Sequence, residues 1–265
     1  MTSEATTLFG TIGIIILFGI EAFVSPEFRQ SFKAGIDRKR TVSYLIAAAL
    51  TLFLTGKMSA IVKGHFPDML GISRVPLLDY VGCFLFAELM NWLIHYLKHI
   101  SFLWRFHFQH HIDPKYTVLL TSYTHGGEVL FSGTIIGAIM AMIGFSQSAI
   151  NTYFLFYALA NTYQHSSLNL SLGWLDYLIV SPRYHRIHHS KSFDANYGST
   201  LTFGDIVFKT TYWPARNEVV KDIGIRNSGE PFGFADEMLY FLKGWKIPHF
   251  PESELKKFFA RVHKA

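Results

Sequence analysis

The sequence predicts an all-α integral membrane protein with about four to five transmembrane or membrane-embedded helices and a cytoplasmic, histidine-rich helical cap. Three observations predict this fold. Half of the 265 residues are hydrophobic, and 25 residues are phenylalanine, which is unusual for a soluble chain. The apolar residues are concentrated in long runs. Ten of the 13 histidines fall between His95 and His189.

Five apolar runs account for the predicted membrane helices. They cover residues 8–24, 42–62, 76–97, 129–145 and 149–163. A helix needs roughly 20 apolar residues to cross the hydrocarbon core of a bilayer. The first three runs are therefore predicted spans, whereas the last two are short and predict a shallow or tilted hairpin. No basic residue precedes Leu8, so the first run is interpreted as a span rather than a signal peptide.

The distribution of charge predicts the orientation. Five basic residues between the first two runs, at 29–40, oppose two acidic ones, so this segment is predicted to be cytoplasmic. From there the third span ends on the cytoplasmic side near His95, and the hairpin returns the chain to that side near His165. Residues 98–128 and those after 165 are then cytoplasmic, with the N-terminus outside. The membrane is predicted to be the bacterial inner membrane or the endoplasmic reticulum.

Three regions follow from these patterns: N-terminal transmembrane helices at 1–75, a histidine-rich domain at 76–212 and a polar cytoplasmic tail at 213–265. Cys83 is the only cysteine, which excludes disulfides and thiolate-ligated clusters within the chain. The net charge of +5 suits a position beside anionic lipid head groups. Together with the apolar composition, it gives no support for nucleic acid as a partner.

Eight histidines in three tight groups predict a metal site. The groups are His95/His99, His107/His110/His111 and His185/His188/His189. Neutral imidazole is a common ligand of iron, copper and zinc. A helix places positions i, i+3 and i+4 on one face, so each triplet is expected to aim three nitrogens at one point. One metal takes about four ligands. Eight candidates, with His125 and His165 in addition, therefore predict two adjacent metals, whereas His65, His249 and His263 stand alone.

The third run places a carboxylate on the same face as its histidines. Glu88, His95 and His99 are separated by seven and four positions, so they share one stripe of a helix. A carboxylate in this place can orient the imidazole of His95, and pairing with another polar group of the bundle is the equal alternative. Before the last triplet, Ser181 and Pro182 predict an N-cap and a first helical position.

Three sequence motifs resemble those of a known family. HYLKH at 95–99, LWRFHFQHH at 103–111 and SPRYHRIHHS at 181–190 match the histidine boxes of the fatty acid hydroxylase and sterol desaturase superfamily, whose members are integral-membrane di-iron enzymes. NYGSTL at 196–201 is similar to the segment that follows the last box. The resemblance covers residues 76–212. Glu88, Tyr96 and Lys209 depart from residues common in the family.

The resemblance implies metals, ligands and partners. The box histidines and His165 would hold two iron ions, with His125 as a further candidate ligand. Zinc also binds nitrogen sites and can occupy them in purified protein. Asn169 stands where some members have a histidine, and Glu88 and Asn169 are expected to tune the chemistry. O2 would be the oxidant, and electrons would come from a separate reductase, ferredoxin or cytochrome.

The expected function is hydroxylation of an aliphatic C–H bond in a lipid or sterol-like substrate. A desaturase that uses the same site is the first alternative, because the outcome depends on small differences in the position of the reacting carbon. The second alternative is a non-catalytic membrane protein that binds haem or transports a metal. Transporters place their ligands near the middle of the bilayer, whereas these histidines cluster at one end of the predicted spans.

Overall fold

The chain folds into helices throughout the part that the computed structural model describes, which is residues 3–33, 35–65, 72–100, 102–168, 170–215, 218, 220–225 and 233–242. Within these ranges it forms no β-strand, and extended pairing is limited to two isolated bridges, Ile179 with Leu201 and Ser190 with Ile223. The all-α prediction is confirmed for this part of the chain.

The long helices form the bundle, and the short ones form the cap. The α-helices are α1 Ser3–Val24, α2 Pro26–Lys33, α3 Gly35–His65, α4 Pro76–Ile100, α5 Trp104–His111, α6 Gly126–Ile143, α7 Gln147–Gln164, α8 Pro182–His188, α9 Phe203–Phe208 and α10 Phe234–Met238. Single 3-10 turns lie at Ile72–Arg74, Val118–Ser122, Gly173–Tyr177 and Tyr240–Leu242.

Two helices in the described ranges are long and apolar enough to cross a membrane. They are α4, with 25 residues, and α6, with 18 residues. The run at 129–145, which the sequence predicts to be short, thus lies in a helix of sufficient length. The remaining runs lie in α1, α3 and α7. A total of four to five spans stays a prediction.

The bundle is held together by pairs of long helices. In this bundle α3 packs along α6, α1 packs along α7, and α4 contacts both arms of the α6–α7 hairpin. The hairpin turns at Gly144, whose φ of 105° favours glycine, and the Ser146 hydroxyl then caps α7. A core between α4 and the hairpin includes Cys83, Met140 and Tyr153. This packing fixes the end of α4 that carries the histidines.

A buried carboxylate, Asp205 on α9, fastens the cap to α4. Its oxygens accept hydrogen bonds from the indole of Trp92 at 3.0 Å and the hydroxyl of Tyr184 at 2.9 Å. They also accept the backbone N–H of Tyr197 at 2.8 Å. The neighbouring Gly204 lies so close to Trp92 that a Cβ atom there would overlap the indole ring. Asp205 therefore ties α4, α8 and the 196–201 segment into one unit.

Candidate metal centre

Nine of the ten candidate histidines come together in two adjacent groups. The first group is His95, His99, His107, His111 and His188, and the second group is His110, His165, His185 and His189. The candidate ligand nitrogens within each group lie within 4.8 Å of one another. The rings of His111 and His189, one from each group, are 4.3 Å apart. The structure thus offers two neighbouring sites.

Each histidine triplet is divided between the two groups, which corrects the expectation that a triplet aims at one point. In α5, His107 and His111 face the first group while His110 faces the second. In α8 and at its C-cap, His185 and His189 face the second group while His188 faces the first. At about 3.6 residues per turn, positions i and i+4 overlap more closely than i+3 and i+4 do. The i+3 imidazole therefore diverges from its neighbours in both helices.

The second group has the spacing of a metal-ligand set. The Nε2 atom of His165 lies 3.1 Å from that of His185, 3.2 Å from that of His110 and 3.3 Å from that of His189. His185 and His189 are separated by 3.2 Å. Nitrogens at the corners of a tetrahedron with edges of about 3.2 Å lie about 2.0 Å from its centre, which is an ordinary metal–nitrogen distance. These side chains fit a single cation.

The first group has the same character with one more imidazole. The Nε2 atom of His107 lies 3.2 Å from that of His95 and 3.1 Å from that of His111. The Nε2 atoms of His99 and His188 are buried and have no hydrogen-bond partner among the described residues. A buried polar atom without a partner is costly. A bound cation would remove that cost, so this group also fits a metal.

Backbone carbonyls orient several of the imidazoles. The Nδ1–H groups of His95, His188 and His165 donate to the carbonyl oxygens of Tyr197 at 2.8 Å, Ala195 at 3.1 Å and Asn161 at 2.7 Å. A carbonyl only accepts, so each bond places the proton on Nδ1 and leaves the Nε2 lone pair free for a metal.

Glu128 orients a further imidazole, and sequence reasoning did not assign it this role. Its carboxylate lies 3.1 Å from Nδ1 of His107 and 2.7 Å from Nζ of Lys98. A carboxylate behind a ligand fixes the ring and makes the nitrogen a better donor to metal. In the sequence, Glu128 is recognisable only as an acidic residue in the first turn of α6. That position alone does not indicate that His107 is its partner.

Burial keeps the cap histidines neutral. It lowers the pKa of His165 to about 4 and that of His188 to about 3, with neighbouring histidines adding to the effect. Burial also lowers the pKa of His107, His110, His111, His185 and His189. Because the proton has left these rings well below pH 7, their nitrogens are ready to bind a cation.

Glu88 is bonded away from the histidines. Its carboxylate accepts the Tyr153 hydroxyl at 2.9 Å and the Leu201 backbone N–H at 2.8 Å. The Nδ1 atom of His95 uses the Tyr197 carbonyl instead. Glu88 therefore pairs with other polar groups of the bundle. It does not orient the imidazole of His95, which was the other interpretation.

His125 lies outside both groups, contrary to its place among the candidate ligands. Its Nδ1 atom accepts the Gly127 N–H at 3.0 Å and caps α6. Its Nε2–H donates to the Met238 carbonyl at 3.2 Å. Both ring nitrogens of His125 are thereby occupied. The N–H groups at the start of a helix lack partners within the helix, and one of them takes up the Nδ1 atom. Asn169 lies outside the described residues.

A cavity reaches the first group from the protein surface. His99, His111 and His188 form its inner wall, and Lys191 and Asp194 are among its other lining residues. The cavity offers small molecules an approach to the first group.

Comparison with known proteins identifies the domain around these groups. A family model for fatty acid hydroxylases matches residues 80–210, the part that holds all nine histidines. Residues 80–210 form a fatty acid hydroxylase domain. The resemblance stated from the histidine boxes is confirmed.

Three relatives in the hydroxylase family show how far the likeness extends. An ornithine lipid hydroxylase of Rhizobium tropici is 31% identical over 52% of this chain and 43% of its own length. An alkylglycerol monooxygenase of Danio rerio is 26% identical over 49% of this chain and 29% of its own. A very-long-chain aldehyde decarbonylase of Oryza sativa subsp. indica is 26% identical over 47% and 22%. The chain thus spans less than half the length of these relatives, and no solved structure matches it.

Proposed function

We propose that this chain is an O2-dependent di-iron membrane oxygenase that hydroxylates an aliphatic C–H bond of a lipid or sterol-like substrate. The observation that carries the proposal is the pair of adjacent imidazole groups, one of five and one of four histidines. Two relatives are named as a lipid hydroxylase and a monooxygenase. A haem carrier would need far fewer histidines. The nine described histidines lie on short helices or at the ends of long ones, whereas transporters place their ligands near the middle of the bilayer.

Each part of the centre has a task in this reaction. The nine histidines would hold two iron ions, and such a pair supplies the activation of O2 for attack on an unactivated C–H bond. Glu128 and the carbonyls of Tyr197, Ala195 and Asn161 fix the rings that bind the metals. Because burial lowers the pKa of histidines such as His165 and His188, their nitrogens stay unprotonated and able to hold a metal.

The reaction requires electrons from outside the chain. Hydroxylation converts R–H, O2, two electrons and two protons into R–OH and water, so one oxygen atom enters the product and one is reduced. A separate reductase, ferredoxin or cytochrome would supply the electrons. Desaturation would consume the same O2 and electrons but release both oxygen atoms as water. The two reactions therefore differ in the fate of oxygen.

The proposed location is a membrane, with the centre on the cytoplasmic face. Arg40, from the basic segment at 29–40, forms ion pairs with Asp37 at 2.9 Å and Asp113 at 3.0 Å. Asp113 lies two residues after His111, so the basic segment and the histidines share one end of the bundle. Since basic segments favour the cytoplasm, single cysteines at Lys115 and Lys191 should label from that side alone. Labelling from opposite sides would refute the topology.

The function can be tested with the full chain in nanodiscs, loaded with iron and given a reductant, lipid extract and 18O2. The expected result is a lipid product that carries one 18O atom, with two metals per chain. The variants His110→Ala and His188→Ala should lose metal and product formation. His65→Ala is the matched control, because this exposed histidine bonds only to its own helix in the described structure.

Each other result has a definite meaning. An unsaturated product without 18O would replace hydroxylation by desaturation at the same centre. One metal per chain in fully active protein would overturn the di-metal assignment. A Soret band in the purified protein would favour haem binding, and the absence of any oxidised lipid under reducing, iron-replete conditions would refute the oxygenase.

A further inference from the structure

An apolar surface lies outside the five hydrophobic runs, on the cap itself. The 3-10 turn Gly173–Tyr177 exposes Trp174 to 70% and Tyr177 to 61%. The helix α9 exposes Phe203, Ile206 and Val207. These two segments, with Leu178 and Trp213, are here called the cap patch.

Hydrogen bonds and ring contacts hold the cap patch together. The Thr202 hydroxyl, next to α9, donates to the Tyr177 carbonyl at 2.7 Å, and the Thr202 N–H donates to the Leu178 carbonyl at 3.0 Å. The rings of Tyr177 and Trp213 lie 5.0 Å apart. The patch is thus one fixed surface made from two distant segments of sequence.

The helix α9 faces outward with its apolar side. Phe203, Ile206 and Val207 follow the i, i+3, i+4 spacing of one helical face and are exposed. The opposite side buries the charged Asp205, which is bonded to Trp92. A helix on a water-facing surface shows the reverse arrangement. An outward apolar face of this kind needs an apolar neighbour.

The depth of α9 along α4 identifies this neighbour. The ring of Phe208 stacks on Trp92 at 4.0 Å, and Trp92 lies 16 residues after Pro76, the first residue of α4. At about 1.5 Å per residue this distance is about 24 Å, whereas the hydrocarbon core is about 30 Å thick. The exposed apolar side chains of α4 include Leu77, Leu85 and Leu97. The cap patch therefore sits level with the inner part of a candidate span.

We infer that the cap patch is a membrane-contact surface that rests in the interface of the same bilayer that α4 crosses. Trp and Tyr are enriched at the boundary between head groups and acyl chains, and Trp174, Tyr177 and Trp213 supply them here. Lys209, exposed at the end of α9, is placed to meet lipid phosphates. Asp205 connects α9 to Tyr197, whose carbonyl orients His95. This placement rests on the proposed membrane location and not on the proposed reaction.

Spin labels on the full chain in phospholipid vesicles test this placement. Cys83 is buried and the sequence has no other cysteine, so single cysteines at Tyr177, Ile206 and Val207 can each carry one label. We expect higher collision rates with O2, which concentrates in acyl chains, than with the water-soluble complex nickel-EDDA. Ser192→Cys is the matched control, because Ser192 is a polar residue exposed on the loop after α8 and is not part of the patch. Its label should favour nickel-EDDA.

Exposure of the patch to water, or its burial by a second copy of the chain, would give different results. Labels in the patch that respond to nickel-EDDA as strongly as the label at position 192 would overturn the inference. Labels shielded from both reagents, with spin–spin broadening that disappears on dilution with unlabelled protein, would show that a second copy covers the patch instead. Iron loading is not needed for these measurements. A result that overturns the membrane contact of the cap patch therefore leaves the test of the oxygenase unaffected.

Discussion

The two histidine groups are equal in kind but differ in how they are held. In the first group, His107, His95 and His188 each have a partner for Nδ1, namely Glu128 or a backbone carbonyl. In the second group, the buried Nδ1 atoms of His110, His185 and His189 have no hydrogen-bond partner among the described residues. Only His165 has one, from Asn161. Three of the five rings in the first group are thus held by a hydrogen bond to Nδ1, whereas the second group depends more on where the backbone places its rings.

The segment after His165 is held partly from outside the matched domain. Glu21, on α1, accepts the Ser166 hydroxyl at 2.5 Å and the Ser167 N–H at 2.6 Å. Arg186 donates to the Ser167 carbonyl at 3.0 Å. These bonds hold the segment directly after His165. Because the family match covers residues 80–210, Glu21 is a contribution of this chain's own N-terminal helix.

The largest effect is expected from His165→Ala. His165 is the common neighbour of the other three nitrogens of its group, so its loss leaves an incomplete ligand set. Metal content should fall from two ions per chain to one at most, with loss of activity. Elemental analysis measures the metal content, and lipid oxidation measures the activity. Retention of two ions, as in the control His65→Ala, would show that the second group is not a metal site.

Glu128→Ala should weaken the first group selectively. Loss of a carboxylate behind a metal ligand typically costs about 10-fold to 100-fold in metal affinity. Cobalt(II) serves as the probe, because four-coordinate cobalt absorbs visible light more strongly than five-coordinate cobalt. A competing chelator should remove the weakly absorbing ion first. Glu128→Gln keeps an acceptor for His107 and should retain more affinity, and equal loss from both groups would contradict the assignment.

Glu21→Ala should weaken metal binding by the second group selectively. The effect should be smaller than that of Glu128→Ala, because Glu21 acts through the backbone. We expect the strongly absorbing cobalt ion to dissociate first, with affinity reduced by up to about tenfold. Glu21→Gln should restore the affinity, because one carboxylate oxygen of Glu21 has no hydrogen-bond partner among the described residues. The exposed Glu27, on α2, provides the control Glu27→Ala. If the Gln variant is as weak as the Ala variant, the proposed clamp is wrong.

The smallest effect is expected from His125→Ala. This change removes the side-chain cap of α6, which typically costs about 1 kcal/mol of stability. Both metals should stay bound with unchanged affinity, and only the thermal unfolding midpoint should fall slightly. Loss of one metal would return His125 to the ligand set.

Local sequence patterns predicted much of the fold and most of the candidate ligands. The apolar runs locate the helices, and Ser181 and Pro182 mark the start of α8 as expected. The division of each triplet was missed, because spacing shows which side chains share a face but not what that face meets. The roles of Glu128 and Glu21 were missed for a related reason. Their partners, His107 and the 166–167 segment, are brought near by tertiary packing alone.

Helices α5 and α8 each contribute to both groups, with two imidazoles for one and a single imidazole for the other. An ion bound at either site thus restrains the rotation of both helices and pre-orders ligands for its neighbour. The ordering entropy would then be lost largely once, so we expect the first ion to favour binding of the second. A metal titration curve steeper than that of two independent sites would show this coupling. The distance between the two ions would then depend on the register of α5 and α8, which act together as one rigid unit.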